Sequence, residues 1–176
     1  YYQQCAAEGS NPEQIEESKW AMSRMSAILG HPDRLKKLAA DVVAHYESLC
    51  SEKPEVVQKA MIVCADRPLA FKVLKAIEAI RPEWFVKKKA EHEDQLTREQ
   101  LDKLVALPMI NMVATQGQND EKELYDLCGT KEYRKMLDRQ FKNNDSNFRI
   151  AVVVDMWITG FDVPSLAVMY IDKPLQ

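Results

Sequence analysis

The hydrophobic positions change their period near residue 54. Before it they recur at helical spacing. Ile15, Met22, Met25 and Leu29, with Trp20, form one apolar stripe, and Leu35, Leu38, Val42, Tyr46 and Leu49 form a second. Steps of three and four residues mark amphipathic helices. Asn11-Pro12-Glu13-Gln14 supplies a start: Asn11 caps, Pro12 takes the first helical position, and Gln14 stands where a capping box needs it. Gly30 ends this helix and Pro32 begins the next, so residues 1–54 read as a helical pair joined by the turn "GHPD".

Beyond residue 54 the apolar residues come in short unbroken runs: "KAMIVCADR" (59–67), "MINMVATQG" (109–117), "FRIAVVVD" (148–155) and "LAVMYID" (166–172). A short run without alternation reads as a strand covered on both faces. Asp66 and Pro68 open a helix whose inner face is Leu69, Val73, Leu74, Ile77 and Ile80, and "RPEW" (81–84) closes it. Two further helices are expected over about 120–127 and 131–142, split by Gly129-Thr130. Residues 86–103 are dense in charge and read as an exposed insertion, with Thr97 and Gln100 spaced as a capping box. Strands alternating with helical crossovers predict an α/β domain over 55–176, a mainly parallel sheet with helices on both sides. Such sheets meet ligands at the carboxyl ends of their strands. The loops at 65–67, 115–118, 155–163 and 172–176 are therefore the ones of interest.

Composition narrows this only a little. The chain has 176 residues, 46% hydrophobic, enough for a sizeable core. Its net charge of −3 gives no overall basic footprint for nucleic acid, although a local patch is compatible with it. Cys5, Cys50, Cys64 and Cys128 are too scattered for a zinc clip and far from His31, His45 and His92. They read as free thiols of a reducing compartment, and the histidines as surface or packing residues. No apolar stretch approaches the ~20 residues of a membrane span, and no signal peptide is visible. The first residue, Tyr1, and the last, Gln176, suggest a piece of a longer chain.

Self-contained chemistry is not apparent. None of Gly9, Gly30, Gly117, Gly129 and Gly160 belongs to a G-x-x-x-x-G-K-[ST] or G-x-G-x-x-G pattern. "NDEKEL" (119–124) imitates an acidic magnesium box but does not directly end a strand, and it reads as a solvated helix start. No metal-ligand cluster and no catalytic residue are expected.

The third apolar run remains. It ends in Asp155 and is followed by Thr159, Gly160 and Asp162. This stretch resembles motif V of superfamily 2 helicases, with Thr159 where a basic residue often precedes the glycine. The wider text is more specific. "AVVVDMWITGFDVPSLAVMYIDKPLQ", "KAMIVCADR…RPEW" and "NMVATQGQNDEKELYDL" resemble the motor (R) subunits of type I restriction enzymes, and the resemblance covers 59–176. It implies the second RecA-like (P-loop NTPase-type) domain of a helicase-like motor, preceded by the helical lead-in of 1–54 and ending before motif VI. The intact subunit would use ATP and Mg2+, held mainly by the first RecA-like domain of the same chain. It would translocate double-stranded DNA and cleave it, alongside methyltransferase and specificity subunits in a bacterial or archaeal cytoplasm. The present chain alone would not hydrolyse ATP. Carried onto these residues, Gly160 and Asp162 would contact ATP, and Arg67, Thr115, Asp155 and Thr159 would contact DNA. The residues themselves leave other readings open. Asp66 is equally a helix cap, Asp155 a tie within its own loop, Asp162 a cap of the "VPSL" turn, and Trp157 and Phe161 packing residues. Another superfamily 2 helicase, or a non-enzymatic α/β interaction module, are the competing functions.

Overall fold

Every apolar run becomes a strand, the first three shorter at their ends than the pattern suggests and the fourth with the same bounds. In the computed structural model, which describes residues 12–157 and 162–174, the strands are β1 (Lys59–Cys64), β2 (Ile110–Val113), β3 (Ile150–Val153) and β4 (Leu166–Asp172). They form one parallel sheet in the order β2-β3-β1-β4. Ala60 lies beside Ile150 on one side and Val168 on the other.

The helices are α1 (Pro12–Leu29), α2 (Pro32–Glu52), α3 (Arg67–Ile80), the short α4 (Arg98–Asp102), α5 (Lys122–Cys128) and α6 (Lys131–Lys142). The strand pleat sends alternate residues to opposite faces. Ala60, Ile62, Cys64, Met112 and Val152 meet the inner faces of α2, α3 and α5. Met61, Val63, Val113, Ala151 and Val153 meet Leu137 and Phe141 of α6, together with Phe148 and Val163. β1, β2 and β3 are covered on both faces, which is why they read as continuous apolar runs. The two-face reading of 166–172 is corrected, because β4 is an edge strand with Met169 and Ile171 exposed on one face. This is the RecA-like α/β arrangement, and α2 is built into its core through Leu35, Ala39, Val42, Val43 and Tyr46. Fully burying each such Leu or Val contributes about 1.5–3 kcal/mol.

Local chemistry sets the helix starts. The Asp66 carboxylate accepts from Leu69 N at 2.8 Å, so the cap reading of this residue is the correct one. Thr130 caps α6 through Tyr133 N, and the Thr97–Gln100 capping box is complete on both arms. His31 caps α2, its Nδ1 accepting from Asp33 N at 3.3 Å. The cap expected from Asn11 lies outside the described residues.

Two expectations are refined. The stripe on α1 packs on the core only through Leu29: none of its residues is fully buried, and Trp20 is 65% exposed. Periodicity shows that a helix is amphipathic but not what covers it, and the adjacent sheet face is already occupied by α2. Residues 86–103 are the exposed insertion expected, and they are anchored to the domain at a few points. Lys88 and Leu107 form an antiparallel bridge, Asn147 N donates to Lys89 O at 2.9 Å, and Ala90 and Leu104 are buried. These sparse apolar anchors are hidden in the sequence by the charges between them. Among the described residues, no helix is long and apolar enough to cross a membrane.

Candidate functional site

The carboxyl ends of β1, β2 and β3 carry three loops side by side, and a salt bridge ties two of them. Arg67, at the start of α3, reaches across to Asp120, ahead of α5. Its Nε lies 2.9 Å from Oδ2 and its Nη2 3.1 Å from Oδ1. Asp120 Oδ2 also accepts from Gly117 N at 2.7 Å. The bond from Arg67, and then that from Gly117 N, hold the Asp120 carboxyl below its ordinary range, while Asp120 raises the guanidinium. Gly117 has no side chain because Arg67 occupies that place: a Cβ would stand 2.7 Å from Arg67 Cζ and 2.8 Å from Asp120 Oδ1. "NDEKEL" is thus corrected at its acid. A helix does begin at Lys122, but the Asp120 side chain is only 6% exposed and is engaged by Arg67 rather than solvated.

Thr115 follows β2 and is exposed. It lines a groove of about 450 Å³ together with Lys131, Arg134, Lys135, Asp138 and Arg139 of α6 and with Met156 and Trp157. The exit of β3 is unusual. Asp155 (φ 50°) and Trp157 (φ 61°) both hold left-handed backbone. Asp tolerates that region, whereas it is strained for a bulky residue. Trp157 is held by packing, its ring stacked on Phe141 at 5.6 Å between centroids. Asp155 is exposed and lies 3.7 Å from Lys173 Nζ.

Thr159, Gly160 and Phe161 lie outside the described residues. Asp162 does not share the strand-end position of Thr115 and Asp155. It lies on the return path from the carboxyl end of β3 to the amino end of β4, one residue before a turn closed by Leu166 N donating to Val163 O at 2.9 Å. Backbone closes that turn, and the exposed Asp162 makes no hydrogen bond or ion pair among the described residues. The structure therefore brings Arg67, Thr115 and Asp155 to one edge, with Arg67 engaged internally, and leaves Asp162 on the crossover. Sequence reasoning missed the α6 wall of the groove. Its signal was present as cations four residues apart at Lys131, Lys135 and Arg139.

A parallel sheet covered by helices on both faces, with adjacent strand-end loops latched together, defines an α/β domain of the RecA-like class. The chain belongs to the family of type I restriction enzyme subunit R domain 3, which it matches over residues 40–176. It is 32% identical over 162 residues to the type I restriction enzyme HindI endonuclease subunit of Haemophilus influenzae, covering 92% of this chain and 14% of that protein. A provisionally named type I restriction enzyme MjaIXP endonuclease subunit of Methanocaldococcus jannaschii is 27% identical over 168 residues, covering 95% of this chain and 14% of that protein. The chain spans only that small part of the relatives' length.

Proposed function

We propose that this chain is the second RecA-like motor domain of a type I restriction R subunit. In this reading the intact subunit hydrolyses ATP to translocate double-stranded DNA and cleaves it within a complex that includes methyltransferase and specificity subunits. The observation that carries the reading is the latched carboxyl edge. The Arg67–Asp120 fork holds the β1 and β2 loops in a fixed relation while leaving Thr115 exposed beside them. A rigid edge with one presented hydroxyl suits a contact that positions a DNA backbone without reading its sequence. Arg67 acts in this scheme by positioning the edge, and Asp155 by shaping the exit of β3.

ATP fits the domain through Asp162, whose exposed carboxylate has no partner among the described residues and is available to accept from a ribose hydroxyl across the cleft to the first motor domain. When bound there, ATP supplies the phosphoryl transfer, for which positioning and charge stabilisation come from both domains. Among the described residues no three acidic, Cys or His side chains converge to hold a metal ion, and in this reading Mg2+ is held mainly by the first motor domain.

The test is Asp162→Ala in the intact subunit, read by DNA-stimulated ATPase activity and melting temperature. A hydrogen bond to a charged group contributes about 1.5–3 kcal/mol, so turnover or affinity should fall roughly 10- to 150-fold with melting unchanged. Lower melting with normal turnover would make Asp162 a structural cap and remove the nucleotide role.

A further inference from the structure

We infer that the outward face of α6 is a binding site for the sugar–phosphate backbone of duplex DNA, with Lys131, Lys135 and Arg139 as its phosphate contacts. The inference rests on the motor reading and adds to it a site made by none of the residues the sequence singled out except Thr115.

The first observation is the cost of this row to the helix. Lys131, Lys135 and Arg139 stand at four-residue steps, all are exposed, and none pairs with a carboxylate among the described residues. Lys131 repels Lys135, and Lys135 repels Arg139, as like charges one turn apart. Lys131 also occupies the first helical position, where the helix dipole disfavours a cation. Some helix cations of the chain find acids, Lys142 of α6 itself with Asp138 at 3.0 Å and Lys75 with Glu123 at 2.7 Å, while others such as Lys36 and Lys37 on α2 are exposed as the row is. The row on α6 does nothing for the fold that these pairs do.

The second observation is the place. The row forms one wall of the groove that Thr115, Met156 and Trp157 complete. Arg134 adds a further cation, anchored to Gly129 O at 3.0 Å. The acid in the lining, Asp138, is bonded to Lys142. The groove is therefore positive in a chain whose net charge is −3.

Dimensions and chemistry select the occupant. Eight residues of helix rise about 12 Å, which spans three to four phosphates of a strand at ~3.4 Å of rise each. Lysines, an arginine and a threonine hydroxyl are backbone ligands. A single strand gripped through its bases would need an open aromatic platform, but the Trp157 ring is already stacked on Phe141 and half-buried. The occupant is a duplex held by its phosphates, with Met156 and Trp157 against its sugars.

The test measures binding of the intact subunit to a short duplex of arbitrary sequence over a salt series, for wild type and for Lys131→Gln/Lys135→Gln/Arg139→Gln. Each lost phosphate contact should lower the slope of log affinity against log salt by about 0.9, so the triple variant should lose up to ~2.7 of slope and bind at least about tenfold more weakly at low salt. A control, Lys36→Gln/Lys37→Gln/Lys53→Gln, removes the same charge from exposed positions on or just after α2, across the sheet, and should keep the wild-type slope. If the triple variant melts early, the single substitutions decide, each expected to lose about 0.9 of slope. A slope unchanged in the α6 variants, or lowered equally by the control, overturns the site. DNA-stimulated ATPase separates the two ideas. If it persists in wild type while the α6 variants bind normally, only the groove fails. If wild type shows no DNA stimulation, the motor reading fails and the groove with it.

Discussion

At the amino edge of the sheet, side chains close on backbone carbonyls. Lys59, fully buried, donates to Phe141 O and to Asn143 O, with its ammonium 5.2 Å from the Phe141 ring centroid. Tyr46 Oη donates to Gln58 O at 2.7 Å, and Asn147 Nδ2 to Leu107 O at 2.8 Å. At the carboxyl edge, internal forks from Arg67 to Asp120 and from Arg34 to the buried Asp172 fix the loops, Thr115 and Asp155 stand exposed, and the β3 exit runs through left-handed backbone. The two edges belong to the same strands, so propensity and burial do not separate them. They differ in how polar groups are engaged: buried donors close on carbonyls at the amino edge, where Arg149 Nη1 alone is buried without a partner among the described residues, and two internal ion pairs stand beside exposed Thr115 and Asp155 at the carboxyl edge. A polar group without an internal partner at a strand's carboxyl end is where a ligand is to be sought.

The contrast is most directly broken at Lys59. Lys59→Ala leaves a cavity and two carbonyls at the end of α6 without their donor, and should cost about 3 kcal/mol of stability in denaturant unfolding. A loss near zero would mean that the amino edge is not held as described. The same residue gives a pH signature. Burial, and then the charge of Arg149, push the Lys59 ammonium down to about 7 from 10.5. The unfolded chain therefore binds a proton that the folded chain has released between those values, and stability gains from this group as pH rises from about 7 to 10.5. Below about 7 the full cost of the buried charge is present. Lys59→Met should flatten that rise in melting temperature.

Gly117→Ala attacks the other edge. The new methyl group has no room beside Arg67 Cζ and Asp120 Oδ1, and overpacking of this kind costs about 1–3 kcal/mol. The expected signature is a modest loss of stability together with weaker duplex binding by the intact subunit, because the loop that presents Thr115 is displaced. Normal binding would show that the fork does not position the edge. The smallest effect is expected at Asp155. Glycine accepts φ 50° without strain, and the exposed pair with Lys173 contributes little. Asp155→Gly should leave stability within about 0.5 kcal/mol. Loss of DNA-stimulated ATPase by this variant would give the Asp155 carboxylate a role of its own beyond shaping the loop.

Much of this domain is legible along the chain. The unbroken runs at 59–64, 110–113 and 150–153 state that both sheet faces are covered there, the run at 166–172 gives a strand but not its exposed face, and Asp66, Thr97 and Thr130 announce helix starts through chemistry confined to three residues. The family resemblance on 59–176 is upheld by the family match. What was not legible are contacts made over long separations. Nothing near Arg67 names Asp120 as its partner, nothing near Lys59 names the end of α6, and the charges of 86–103 conceal the bridge from Lys88 to Leu107.

The sequence by itself determined the elements, their α/β order and the family, because turn chemistry, period and local text act within a few residues. Tertiary structure alone decided the order β2-β3-β1-β4 and the exposure of the α1 stripe. It also decided which charges are engaged and which face outward. An Arg, a Lys or an Asp carries the same label whether it is paired or open, and only the fold brings its partner within bonding distance or leaves it to the solvent.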